Sequence, residues 1–193
     1  MKKLFFLIFG SLLFAKSYVG IQLMGGIKGD VKIKDSSYET SPFEDSNDIA
    51  SYGAKIYIQN GKYYIFYQRG QINPKTENMD IHNYNVFGAG YLGVFASKVY
   101  KVAKMDFFVD LCLGYDKMNS LGSGKYDESK EGLYLGAFVG ESMYLVNYPK
   151  VSYDISFGYE MHSVKDSVSK SVSENANWDF DSFMIKIGSK FEF

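Results

Sequence analysis

Residues 105–116 read MDFFVDLCLGYD, and this stretch alternates between two kinds of position. One set of alternate positions is apolar throughout, while the other carries three aspartates, among them Asp106 and Asp110. A period of two is typical of a β-strand whose two faces meet different surroundings. Residues 151–162 and 182–193 repeat the pattern, so each of these three stretches is predicted to be a β-strand.

Five further stretches bring the number of predicted strands to eight. One of them, 18–28, alternates clearly, and the other four are shorter or less regular. The eight are 18–28, 51–59, 62–69, 81–96, 105–116, 133–146, 151–162 and 182–193. Long polar connections (30–50, 70–80, 117–131, 163–177) alternate with short ones (59–62, 97–104, 147–150). An even number of strands with this rhythm predicts an all-β fold, an eight-stranded antiparallel up-and-down barrel.

Composition excludes several classes of protein. The 193 residues have a mean hydropathy of −0.17, which is too low for a bundle of membrane helices, and an aromatic share of 18%, which is too high for a disordered chain. The net charge of −1 argues against nucleic-acid binding, and the presence of a single arginine, Arg69, argues against phosphate recognition by paired guanidinium groups. Cys112 is the one cysteine, which excludes an intramolecular disulfide and a multi-thiolate metal site. No motif predicts a cofactor.

The N-terminus has the layout of a secretory signal peptide. Lysines follow Met1, an apolar run of about 11 residues comes next, and Ala15 and Ser17 are the small residues before a cut after Ser17. The run is too short for a spanning helix. We therefore expect residues 1–17 to be a signal peptide and 18–193 to be the barrel domain.

The direction of the apolar face separates two kinds of barrel. A soluble, lipocalin-like barrel turns its apolar side chains inward around a ligand, whereas a membrane barrel turns them outward to lipid. Here the apolar stripes are long enough to cross a bilayer and end in aromatic residues such as Tyr115 and Tyr159, which predicts a transmembrane barrel. The facing of 81–96 and 133–146 is ambiguous. For the latter, the cost of a lipid-facing carboxylate favours Glu141 inside and the aromatic residues Tyr134, Phe138 and Tyr144 outside.

Charged residues on the inward faces predict a lumen filled by ion pairs. Five of them lie at similar distances from the short turns: Lys55, Asp110, Glu141, Asp154 and Lys186. Unpaired charges in so narrow an interior would be costly, so we expect a network and a plugged lumen. A narrow gated pore lined by the same groups is the functional alternative.

Other polar residues suggest weaker hypotheses. His162, beside Glu160 and Ser163, has the residue types of a lipid-modifying hydrolase, but neighbouring strand residues face opposite ways, so a histidine at the barrel rim is expected. Acidic pairs such as Glu44-Asp45 and Asp127-Glu128 could bind calcium, although solvated loop charge is the simpler interpretation. Cys112 is expected to fill space inside the barrel. The Ser-Val repeat of 163–174 predicts a loop, with no assigned function.

The secretory leader, the eight amphipathic strands and the aromatic C-terminus together resemble the small bacterial outer-membrane β-barrels, such as the membrane domain of outer-membrane protein A and the Opa, OmpX and OmpW types. The resemblance implies that the last strand is an assembly signal read by the barrel assembly machinery. The residues that match it are Phe193, Phe191, Ile187, Ile185 and Phe183, with Ser189 departing from the alternation.

These observations predict a monomeric, non-enzymatic protein of the bacterial outer membrane, serving envelope integrity or surface interaction through four outer loops. Expected partners are outer-membrane lipid and lipopolysaccharide, the assembly machinery and periplasmic chaperones, with no nucleic acid. The alternatives are a small barrel that transports ions or apolar solutes, the latter through a side opening, and a lipid A-modifying enzyme that depends on His162.

Overall fold

The computed structural model describes residues 16–34, 49–74, 81–120, 129–166 and 177–193. Within them the chain forms eight strands, all joined in one sheet. They are β1 (Ser17–Lys34), β2 (Ile49–Asn60), β3 (Tyr63–Pro74), β4 (His82–Val99), β5 (Ala103–Ser120), β6 (Lys130–Leu145), β7 (Tyr148–Asp166) and β8 (Asn177–Glu192). Each strand is antiparallel to the next, and β8 pairs with β1 to close the barrel. The predicted eight-stranded up-and-down barrel is confirmed.

One end of the barrel carries short turns and the other carries the long connections. Gly61 makes the β2–β3 turn with φ of 59°, a left-handed conformation that explains the Asn60-Gly61 hairpin signal. At the opposite, long-loop end the strands run further than predicted. For example, β7 continues to Asp166 and so takes in the first positions of the Ser-Val repeat.

Several predictions concern residues outside the described part of the chain. They are the leader over 1–15, the acidic pairs Glu44-Asp45 and Asp127-Glu128, and the rest of the Ser-Val repeat. In the described part, no helix is long and apolar enough to cross a membrane.

The predicted facing of the clearest strands is confirmed. On β5, Leu111 is 48% exposed on the outer wall, whereas the adjacent Asp110 is 3% exposed in the lumen. On β8, Ile185 faces outward and Lys186 is buried inside. The apolar side chains therefore form an external belt, and the charged ones line the axis.

The prediction for β6 is wrong, because this strand faces the other way. Tyr134 and Phe138 are buried in the lumen, and Tyr144 shares their face. Glu141 lies on the outer wall, half-buried between its cross-strand neighbours Phe107 and Ile155.

Three physical reasons explain this reversal. The Tyr134 hydroxyl has a lumen partner, because it donates to Glu160 at 3.2 Å. Phe138 fills the space left by Gly158, where a Cβ would lie 2.8 Å from the Phe138 ring. Glu141, for its part, lies only four residues before the short-turn end of β6, where a carboxylate near the membrane surface costs little.

The prediction that Lys28 faces the lumen is also wrong, because β1 contains a β-bulge. The β1–β8 register shifts between Gly26 and Lys28, so Ile27 and Lys28 are both exposed instead of alternating. Lys28, which the alternation placed inside, therefore lies on the outer wall. Beyond the bulge Val31 is buried inside.

The ambiguous strand β4 has one consistent facing over its first half. Tyr84 and Val86 are fully buried in the lumen, and Phe87 is exposed on the outer wall. A second bulge, between Val94 and Ala96, shifts the register close to the short-turn end.

Candidate functional site: a filled lumen inside an apolar wall

Asp110 is the centre of a buried ion cluster in the lumen. Its Oδ2 lies 3.7 Å from Lys55 Nζ and 4.0 Å from Lys186 Nζ. The Tyr64 hydroxyl donates to Oδ1 of the same carboxylate and accepts from Lys55 Nζ at 2.9 Å. The structure thus brings together three of the five residues predicted for a lumen network, and adds Tyr64. We call these four residues the Asp110 cluster.

Aromatic rings surround the two lysines of this cluster. Lys186 Nζ lies 3.1 Å from the centre of the Phe138 ring, and Lys55 Nζ lies 4.5 and 4.6 Å from the Tyr64 and Phe66 rings. The faces of aromatic rings attract cations, and the attraction is stronger away from water. The rings therefore offset part of the cost of burying two ammonium groups beside one carboxylate.

Asp154, the fourth predicted network residue, belongs to a separate group nearer the short-turn end. It accepts from the Tyr57 hydroxyl at 3.2 Å and from Ser152 at 3.1 Å. Its cationic partner is Lys190 at 3.8 Å, a residue that the alternation of β8 placed inside but that was left out of the predicted network. Glu141, the fifth predicted residue, is not part of either group, because it lies on the outer wall.

A third polar group occupies the half of the lumen toward the long loops. His162 Nδ1 lies 2.6 Å from Asp116 Oδ2, and its Nε2 lies 3.6 Å from Glu160 Oε1. All three side chains are fully buried, and the Tyr84 and Tyr134 rings pack against the imidazole at 4.7 and 5.0 Å. His162 is therefore an interior residue rather than a rim histidine. Asp116 carried a usable signal, since it shares the inward face of β5 with Asp110.

The geometry separates His162 from the serine beside it. Ser163 lies on the outer face of β7 and donates its hydroxyl to Asp179 at 2.7 Å. The histidine is meanwhile held by two carboxylates inside the wall. A serine nucleophile next to a histidine base is not formed at this position.

An apolar cap fills the lumen beyond the His162 group. Trp178 and Phe180 stack at 6.1 Å, and the His82 ring contacts both at 6.0 and 5.3 Å. The other buried apolar side chains at this level include Ile72, Met118 and Val164. On the outside of the same strand ends lie polar residues such as Asn83, Asn119 and Asp179. The buried Lys130 also lies here, with its Nζ 4.6 Å from the centre of the Trp178 ring. Apart from Lys130 and His82, the polarity of the wall inverts at this level, with apolar groups inside and polar groups outside.

Cys112 is a buried free thiol at mid-barrel, facing inward as predicted. Its Sγ lies 3.8 Å from the Tyr134 hydroxyl. Among the residues that the structure describes, no group of three or more His, Cys, Asp or Glu side chains could hold a metal ion.

The outer wall has an apolar groove of about 620 Å³ over β4, β5 and β6. Small residues form its floor: Ala89, Gly90, Gly136 and Ala137. Behind the floor the lumen is occupied, because Tyr64 lies 2.1 Å from where a Cβ on Gly90 would be. The groove is therefore a depression in the wall and not an opening through it.

Four residues of the predicted assembly signal lie on the outer face of β8, and the fifth, Phe193, directly follows the strand. Phe183, Ile185, Ile187, Phe191 and Phe193 are exposed. Ser189 shares this face but is only partly exposed, between its partners Ile21 and Tyr153.

Neither a protein-family model nor a curated protein matches the chain. Among solved structures, it is similar to the outer membrane protein OprG from Pseudomonas aeruginosa, with a TM-score of 0.54 and 11% identity over 93% of this chain and 96% of that one. It is also similar to the outer membrane protein AlkL, solved by solid-state NMR in DMPC bilayers, with a TM-score of 0.53 and 11% identity over 93% and 90%.

The chain has the fold of the small outer-membrane β-barrels. The resemblance that the strand pattern suggested is confirmed at the level of the fold. At 11% identity the two structures assign no role to any single residue.

Proposed function

We propose that this protein is an integral β-barrel of the bacterial outer membrane with a closed lumen and no catalytic role. Its contribution is to envelope integrity or to surface interaction through the four connections at the long-loop end. The short-turn end faces the periplasm, as in barrels of this kind. The fold and the apolar outer belt support the location.

The filling of the lumen is the observation that carries the proposal. Three successive levels of buried side chains follow the axis: the Asp110 cluster, the His162 group and the apolar cap. Ion pairs and rings at each level contact one another across the barrel, which leaves no role for a wide water path. A polar interior of this kind stabilises the barrel rather than conducting through it.

A conductance measurement tests the closed lumen. The purified, refolded barrel inserted into planar bilayers is expected to give no steady single-channel current. A variant that truncates two rings of the cap and one ring packed on the His162 group, Trp178→Ala with Phe180→Ala and Tyr84→Ala, serves as the comparison, since it opens space only at the long-loop half and leaves the Asp110 cluster in place. Reproducible channels in the unmodified protein would contradict the closed lumen.

The location has its own test. Cell fractionation should place the protein with the outer membrane, and the folded form should migrate faster than the heated form on a gel. A soluble protein in the periplasmic fraction, with the same gel mobility before and after heating, would favour the soluble, lipocalin-like barrel instead. Sequencing the N-terminus of the isolated protein tests the cut after Ser17.

The outer groove favours one second candidate, the passage of an apolar solute along the wall. Its floor of small residues leaves little side-chain bulk on the outside of the wall at this place. Ala89→Leu with Ala137→Leu fills the groove without touching the lumen. If cells lose uptake of an apolar solute with this variant, the transport function replaces the closed-barrel one.

A further inference from the structure

Three cross-strand neighbours form a basic row at the edge of the apolar belt that lies toward the long loops. Arg69 on β3 pairs with Asn85 on β4, and Asn85 pairs with Lys117 on β5. All three face outward. Because neighbouring strands lie about 4.8 Å apart, the two cations start about 10 Å from each other with an amide between them.

The donors of this row are available. Within the described part of the chain Arg69 makes no ion pair. Asn85 accepts from the Tyr67 hydroxyl at 2.8 Å through its amide oxygen, so its NH₂ group points away from that bond. Lys117 pairs with Glu131 at 3.7 Å, but both side chains are about half exposed, and such a pair exchanges readily for a stronger anion.

The outward rows on either side of the basic row differ sharply in chemistry. The row nearer the short turns consists of three large exposed aromatic residues, Tyr67, Phe87 and Tyr115. The row nearer the long loops consists of three amides, Gln71, Asn83 and Asn119. Gln71 donates to Asn83 at 2.8 Å, which holds two of these amides in place. Moving outward, the wall therefore offers apolar rings, then cations, then hydrogen-bonding amides.

This order matches one class of ligand. A phosphorylated, acylated sugar has acyl chains for the aromatic row, phosphate for the basic row and sugar hydroxyls for the amide row. We propose that β3, β4 and β5 bind a phosphorylated glycolipid of the lipid A type, with Arg69 and Lys117 holding its phosphate. This proposal deepens the proposed function and rests on its outer-membrane location.

The opposite side of the barrel at the same level has the contrary charge. Asp30 on β1 and Asp181 on β8 are cross-strand partners on the outer wall, and Asp179 lies two residues from Asp181. These carboxylates repel a phosphate. Lys28, close to them, provides a matched basic residue outside the proposed site.

The test measures binding to the purified, folded barrel in detergent at fixed salt by native mass spectrometry. The probes are diphosphoryl lipid A, the same lipid with its phosphates removed, phosphatidylglycerol and inorganic phosphate. We expect diphosphoryl lipid A to bind most tightly, and Arg69→Gln with Lys117→Gln to weaken it about tenfold or more, as expected for lost charge-assisted contacts. Lys28→Gln should bind as the unmodified protein does, and Arg69→Lys with Lys117→Arg should retain most of the affinity.

Three results would overturn the proposal: unchanged binding in the double variant, equal binding of the phosphate-free lipid, or equal binding of phosphatidylglycerol. The heat-modifiable gel shift shows whether each variant is folded. If the double variant does not fold, Arg69→Gln and Lys117→Gln are measured separately, and unchanged affinity in both has the same meaning. Since the assay uses purified protein, its failure leaves the outer-membrane location standing, and fractionation tests that location independently.

Discussion

His162 Nδ1 lies 2.6 Å from Asp116 Oδ2, although β7 and β5, which carry them, are separated in the sheet by β6. The contact therefore spans the lumen behind β6 instead of running along the sheet. Glu160 completes the group from the same strand as His162. Side chains from distant strands thus hold the barrel together through its interior, in addition to the hydrogen bonds of its wall.

Removing the imidazole tests this contact. His162→Leu leaves the buried Asp116 carboxylate without its partner, so the free energy of unfolding should fall by about 3–5 kcal/mol. Urea unfolding of the barrel in lipid vesicles measures the change. Ser163→Ala, next in sequence but on the outer face, should cost no more than about 1 kcal/mol. Lipid A mass in expressing cells should be the same for both variants, and a loss of modified lipid A with His162→Leu alone would point to the enzyme.

The Asp110 cluster should show strong coupling between its members. Asp110→Leu strands two buried ammonium groups, so it should destabilise the barrel by about 3–5 kcal/mol. In the double variant Lys55→Met with Asp110→Leu, one of those stranded charges is gone, so the loss should be clearly smaller than the sum of the two single losses. Unfolding free energies of all four proteins give the coupling. Additivity to within about 0.5 kcal/mol would mean that the cluster is not an interacting unit.

Two glycines make a matched pair for testing the packing of the wall. A Cβ on Gly158 would lie 2.1 Å from the Ala137 carbonyl oxygen, whereas a Cβ on Gly25 would meet nothing within 4 Å. Gly158→Ala should therefore cost about 1–3 kcal/mol of unfolding free energy, and Gly25→Ala should change it by less than about 0.5 kcal/mol. The same urea titration serves for both. If Gly158→Ala changed the free energy of unfolding as little as Gly25→Ala, the space beside Gly158 would be larger than the structure indicates.

Glu141 is a carboxylate in the apolar belt, and its removal should be favourable. Glu141→Leu is expected to raise the free energy of unfolding by up to about 1 kcal/mol, because the charge lies near the membrane edge and not at its centre. Glu131→Leu, above the belt, removes an exposed ion pair with Lys117 and an exposed hydrogen bond with the Tyr115 hydroxyl, and should change stability by no more than about 1 kcal/mol. Destabilisation by Glu141→Leu would mean that this carboxylate has a partner supplied from outside the chain.

The number of strands, the closed barrel and the direction in which most side chains face can be predicted from the sequence. The reason is that apolar and polar residues alternate with a period of two wherever one face of a strand meets lipid and the other meets a polar interior. Leu111 and Asp110 show this most plainly. The prediction at Glu141 is wrong because it rests on the cost of a lipid-facing carboxylate, and that cost depends on how deep in the membrane the carboxylate lies. Opposite Tyr134 and Phe138, the other face of β6 holds Leu133, Leu135, Ala137 and Val139, so both faces carry apolar side chains and apolarity alone does not distinguish them. A hydroxyl that needs a partner, as in Tyr134, is the signal that would have decided it.

The ion clusters were only partly predictable for a different reason. Alternation along a strand places the side chains of Lys190 and Asp116 inside the barrel. Which side chains then form ion pairs depends on the strand register and on the tilt of the strands, and neither can be read from the sequence. The apolar cap was missed altogether. Its residues, such as Ile72 and Trp178, lie in stretches that resemble loops because the wall changes polarity there.

That change of polarity divides the barrel into a region whose outer surface suits lipid and a region whose outer surface suits water. Beyond the belt, the strands obey the rule of water-soluble proteins, with oily groups packed around Phe180 and hydrophilic groups facing the medium. The strand ends beyond the belt consequently form a packed collar from which the long connections start. Their sequences are free to diverge, lengthen or acquire new binding preferences while the part embedded in lipid stays as it is.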